Sequence, residues 1–128
     1  MQPVTVPQEH SAHSDSRLIA KSAVRAAEKL DLSNRVLARI IGVSDATVSR
    51  MKKGEYPLEP GQKPFQLAVL FVRLYRSLDA LTGGDDEVSA KWLSNPNTAL
   101  DGTPVELIQS VSGLMNVINY LDARRAVV

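Results

Sequence analysis

Between Asn34 and Gly54 the chain reads NRVLARIIGVSDATVSRMKKG, and no other stretch limits the fold as tightly. Val36, Leu37, Ile40 and Ile41 point inward from one helix face, and Ser33 stands where an N-cap belongs. Gly42 is placed to end that helix. Ser44 is placed to cap the next, which runs to about Lys53 and stops at Gly54. Ala38 is small enough to let a second helix cross close by, and Gly42 allows a sharp turn between the two. Leu37, Ile41, Val43, Val48 and Met51 supply the apolar contacts that hold the pair.

The flanking segments read as helices too. Leu18, Ile19, Ala23, Val24, Ala27 and Leu30 recur at the spacing of one helix face. EYPLEPGQKP is a loop punctuated by Pro57, Pro60, Gly61 and Pro64, with Pro64 suited to the first turn of the next helix. FQLAVLFVRLYRSLDAL is apolar around much of its circumference, which predicts burial on several sides, either as a strut between two halves or as part of a dimer contact. TGGDD breaks it: Gly83 and Gly84 end one helix, and Asp85 or Asp86 caps another. No segment alternates convincingly, so the fold class is all-α. The expected organisation is a loose arm over 1–15, a helix-turn-helix region over 16–62, a connecting or dimerisation helix over 63–82 and a C-terminal domain over 83–128.

The segment KWLSNPNTALDGTPVEL holds the only Trp. Val88 and Trp92 are four apart on one helix face, next to Leu93. Asn95-Pro96 halts that helix, because proline disfavours the helical conformation before it. Gly102 permits a turn that other residues avoid. Thr103 is then a helix cap, Pro104 the first helical position and Glu106 the far side of a capping box. The last helix has Val111, Leu114, Met115, Ile118 and Leu121 on its inner face. Trp92 itself reads as a core anchor.

Bulk properties exclude several classes. With 44% hydrophobic and 23% charged residues the chain is not wholly disordered. It has no cysteine, which rules out disulfides and thiolate metal sites and fits a reducing cytoplasm. LAVLFV, the longest apolar run, falls far short of the roughly 20 residues of a membrane span. The start, MQPVTVPQEHSAHSDS, lacks the basic and apolar parts of a signal peptide. His10 and His13 have no third ligand nearby, so they read as solvated and no metal or cofactor is expected. No histidine lies in the folded region, and no carboxylate pair or phosphate-cradling loop converges, so an enzyme is not expected.

Charge is divided. From Ser16 to Pro64 there are ten Lys/Arg against five Asp/Glu; from Asp79 to Asp122 there is one, Lys91, against seven. The first half has the sign that phosphates need. On the helix after Gly42, the positions Asp45, Ala46, Thr47, Ser49, Arg50 and Lys53 should lie on or beside the exposed face. Thr47 and Ser49 are short donors, with Ser44 at the helix start. Arg50 can grip a guanine edge bidentately. Lys52, Lys53 and Arg39 suit phosphates, which position a protein without reading sequence. One such head makes a small interface, so a homodimer on paired half-sites of double-stranded DNA is expected.

GVSDATVSRMKKG resembles the signature of the Cro- and Xre-like repressors. Ala90, Trp92, Leu93, Pro96, Asn97, Leu100, Gly102, Pro104 and Leu107 form a pattern similar to the C-terminal toxin-binding domain of the Xre/MbcA/ParS antitoxins, and Gly113, Val117 and Leu121 continue it. The resemblance spans roughly residues 17–125. It implies a type II antitoxin whose partner is a RES-domain toxin that degrades NAD. In that family the C-terminal region covers the toxin's active site, and the helix-turn-helix represses the operon. Carried over, this points to Asp122, Arg124, Arg125, Ala126, Val127 and Val128 as toxin contacts, although LDARRAVV replaces the late glycine that the family often has. The alternative is a stand-alone dimeric transcriptional regulator whose C-terminal part only dimerises or senses a ligand.

Overall fold

The structure, a computed structural model, describes the backbone of residues 8–126 and the side chains of residues 15–126. Among the described residues every regular element is a helix: α1 (Gln8–Lys29), α2 (Asn34–Ile41), α3 (Asp45–Lys52), α4 (Lys63–Leu81), α5 (Asp86–Ser94), α6 (Pro104–Leu107) and α7 (Val111–Ala126). None of these is long and apolar enough to cross a membrane.

The helix ends are set locally. The Ser33 side chain accepts from the Val36 amide at 3.2 Å, and that of Ser44 from the Thr47 amide at 3.1 Å. Gly42 closes α2 with φ 76, a left-handed conformation that costs glycine nothing. Asp85 caps α5 by accepting from the Val88 amide at 3.2 Å. The α1 helix begins at Gln8, so Gln8–Asp15 belong to it and not to the loose arm expected there. An absent apolar period removes a reason to bury a helix, not a reason to form one, and no glycine or proline interrupts the chain between Pro7 and the buried turns.

α4 is the axis of the molecule. It packs against α1 and α2 and, most extensively, against α7. It buries Leu67, Ala68, Phe71, Val72, Leu74, Ser77 and Leu78, positions that cover more than one face, as its all-round apolar sequence requires. One continuous core runs from Ala20 in α1 through Phe71 and Leu74 to Leu121 in α7, so both halves of the chain share it. Each large side chain fully removed from water contributes about 1.5–3 kcal/mol.

Two details pin the break between α4 and α5. Thr82 Oγ1 and Ser89 Oγ lie 2.7 Å apart, with Ser89 fully buried. Tyr75 donates its hydroxyl to Asp86 Oδ1 at 3.1 Å; burial, with that bond, pushes its pKa up to about 12.

Several local expectations are corrected by packing. Leu18 is 61% exposed, because the face of α1 that meets α3 and α4 is carried by Ala20, Ala23, Val24, Ala27 and Leu30. Val88 and Val111 are exposed as well, and Met115 is half-buried; the inner face of α7 is Gly113, Leu114, Val117, Ile118 and Leu121. Thr103 makes no side-chain capping bond, so α6 starts on Pro104 alone. The left-handed residue of the preceding loop is Asp101, at φ 56, and not Gly102. At Gly102 a Cβ would lie 3.1 Å from the Leu107 side chain, which would have to give by a few tenths of an ångström.

Candidate functional site

The α2–α3 pair presents a mixed polar face. Ser44, Asp45, Ala46, Ser49, Arg50, Lys52 and Lys53 are exposed, as is Arg39 on α2. Thr47 is not. The residue is 8% exposed and its hydroxyl meets Ser44 Oγ at 3.0 Å. A short β-branched residue one turn into a helix turns toward the crossing helix when its neighbours Val48 and Met51 are core, so Thr47 serves the turn and not the outer face. Asn34 Nδ2 reaches Ser49 Oγ at 3.5 Å, tying the start of α2 to α3.

Arg50 lies over the Tyr56 ring, 5.5 Å from its centroid. An arginine on an exposed aromatic face is held by roughly 0.5–1 kcal/mol, enough to bias its position and too little to fix it. Sequence reasoning does not single out Tyr56; the signal available is a lone aromatic in the loop just beyond the basic residues.

The end of α7 is bound to α4. Arg73 Nη2 contacts Asp122 Oδ2 at 2.5 Å, Ser77 Oγ donates to Asp122 Oδ1 at 2.8 Å, and Arg125 Nη1 donates to Ser77 Oγ at 3.2 Å. The Ser77 bond, together with Arg73, holds the Asp122 carboxyl below the usual carboxylate range against the opposing effect of burial. Asp122 and Arg125 therefore join α7 to α4. Arg73 and Ser77 are the residues that sequence reasoning misses. The legible signal is polar residues interrupting an otherwise apolar helix.

On the other side of α7, Trp92 stacks on Tyr120 with ring centroids 6.3 Å apart and planes 22° apart. Arg124 lies over the same Tyr120 ring at 5.4 Å. Trp92 is thus half-buried against α7, while its neighbour Leu93 is fully buried. Arg124 and Ala126 are exposed; Val127 and Val128 lie outside the described residues.

The Asn95–Gly102 loop that carries this motif closes on itself. Asn97 and Gly102 exchange both backbone hydrogen bonds, and Asn97 Oδ1 accepts from the Leu100 amide at 3.1 Å. Pro104 is buried, while Pro96 is exposed and Leu100 half-buried. Gly113 is the tightest point of the region: a Cβ there would lie 1.9 Å from the Leu107 carbonyl oxygen. Its place in the pattern is fixed by backbone contact.

Residues 10–73 match the antitoxin Xre-like helix-turn-helix domain, which is half of the chain. The chain belongs to the Xre-like antitoxins. Residues 77–126 of this antitoxin match the antitoxin Xre/MbcA/ParS C-terminal toxin-binding domain. No curated protein matches the chain. Both matched families are non-enzymatic regulatory domains, so the antitoxin is a binding protein and not a catalyst. The two matched regions meet inside α4, the helix whose two sides serve both halves of the core. Trp92, Leu93, Pro96, Leu100, Gly102, Pro104 and Gly113 all fall within the toxin-binding region, and they shape it through packing and turns.

Proposed function

We propose that this antitoxin neutralises a RES-domain toxin that degrades NAD, by covering the toxin's active site with the end of α7 and the residues after it, and that it represses its own operon as a dimer on double-stranded DNA in the cytoplasm. The observation that carries the reading is one chain holding two matched regions, a helix-turn-helix and a toxin-binding domain, on one shared core.

Each half has the chemistry its role needs. Arg50, Lys52 and Lys53 stand exposed on and just after α3, where a recognition helix meets base edges and phosphates. Arg124 is held on Tyr120 at the end of α7, next to Arg125 and the tail. A guanidinium there suits an acidic contact or the pyrophosphate position of an NAD pocket. The RES identity of the toxin rests on the resemblance of the Trp92–Leu107 pattern.

Co-expression with a RES-domain toxin tests the reading. The full chain should restore cellular NAD and growth. Deleting Ala126–Val128 should leave NAD depleted while DNA affinity stays unchanged. Persistent NAD loss in the presence of the full chain would end the RES assignment, and continued inhibition by the truncated chain would remove the tail from the blocking role.

A further inference from the structure

A groove of about 510 Å³ lies between α1 and the end of α3. Its walls carry Arg17, Lys21 and Arg25 from α1 and Lys52 and Lys53 from α3 and its C-cap, against a single acid, Glu28. The three α1 cations are four residues apart and so form one row, about 6 Å apart along the axis. All five cations are exposed. Among the described residues none of the five takes part in an ion pair, those pairs being Arg73–Asp122 and Lys91–Glu87. Like charges four apart on a helix work against it, and no ion pair within the described residues offsets them here. Such a row is stabilised when a polyanion settles on it.

The groove continues the outward face of α3. Lys52 and Lys53 belong to both, and Tyr56, which carries Arg50, lines the groove. Val24 and Met51, both core residues, also border it.

We propose that α1 is a second DNA-contacting element: Arg17, Lys21 and Arg25, with Lys52 and Lys53, clamp the phosphodiester backbone beside the groove that α3 enters. The clamp adds affinity without reading sequence, since phosphate contacts carry no base information. It rests on the operator-binding reading above and assigns to α1 a role beyond scaffolding α3.

The test is a salt titration of binding to two labelled duplexes, the region upstream of the gene and an unrelated sequence of equal length. Each phosphate contact adds about 0.9 to the slope of log affinity against log salt. The double variant Lys21→Ala/Arg25→Ala should therefore lower the slope by about 1.8 on both duplexes, with the preference between them unchanged. The charge-preserving pair Lys21→Arg/Arg25→Lys should keep the wild-type slope. Both positions are exposed, so circular dichroism should report an intact fold for each variant.

A wild type that binds with a salt-dependent affinity while the alanine pair keeps the same slope overturns the proposal and leaves operator binding standing. A wild type that binds neither duplex at low salt overturns both. Polyglutamate is titrated in parallel as an acidic-peptide probe: if the wild type binds it and the alanine pair does not, while the duplex slopes stay unchanged, the proposal is overturned in favour of an acidic protein partner.

Discussion

α4 carries two halves that are held by different kinds of polar contact. In the α2–α3 half the polar bonds are mostly local caps, with the 3.5 Å contact of Asn34 Nδ2 to Ser49 Oγ joining the two helices. Ser33 and Ser44 each accept from an amide three residues on, and the cations around α3 have no counter-ion among the described residues. In the C-terminal half the bonds reach across the sequence. Asp122 is bound to Arg73 and Ser77, which are 49 and 45 residues away, and Tyr75 and Thr82 of α4 and its C-cap hold Asp86 and Ser89 of α5. Cations without partners remain available to a polyanion. Charges consumed between helices fix shape, which is what a surface for one protein partner needs.

The largest expected effect falls on the second half. Gly113→Ala places a methyl group 1.9 Å from the Leu107 carbonyl oxygen, so α6 and α7 must separate. A cost of about 3 kcal/mol or more is expected, at the upper end for overpacking. Thermal unfolding checks it, and a melting temperature equal to wild type would mean that the α6–α7 contact is soft. If the halves were independent, DNA affinity would survive the change; the shared core predicts that it falls with the fold.

Arg50→Ala tests the first half. Its removal should cost about 1–3 kcal/mol of discrimination at one base position, roughly a 5- to 150-fold loss, and leave the melting temperature nearly unchanged. Binding curves on single-base operator variants read this. Uniform weakening across all variants would make Arg50 a phosphate contact.

Asp122→Asn should free the end of α7 from α4 at a cost of about 1 kcal/mol, since the pair is partly exposed. The folded pKa of Asp122 is depressed. Its contribution is therefore present above the ordinary value of 3.8 and lost as pH falls through the lower folded value. Acid unfolding of Asp122→Asn should show a shallower fall over that range than wild type. Identical acid limbs would show that Asp122 does not couple the helices.

The smallest effect belongs to Ser33→Ala, which removes one exposed cap for about 0.5–1 kcal/mol. Hydrogen exchange should speed at the first amides of α2 and remain unchanged in α7. Faster exchange throughout would mean that the two halves open together even after a local loss.

Legibility in the sequence follows the range of the interaction. Ser33, Gly42, Ser44, Asp85 and Asn95-Pro96 mark helix ends at the positions observed, because caps and turns are decided within three or four residues. The buried set of α4 is legible from its all-round apolar sequence. Thr47 reads as an outward donor and is buried instead, since a period of 3.6 does not say which of two adjacent faces the crossing helix covers. Leu18 and Val111 read as inward and are exposed for the same reason, each standing at the rim of an apolar stripe.

By itself the sequence determined an all-helical chain, its capped helix starts, the glycine turn between α2 and α3, and the two family patterns. These depend on neighbours along the chain or on residue types at fixed spacing. Tertiary structure alone decided that Gly113 must lack a side chain, that Asp122 is spent on Arg73 and Ser77, and that the α1 cations share a groove with the end of α3. Each of those facts depends on where one helix crosses another, a distance that local hydrogen bonds and periodicity do not set.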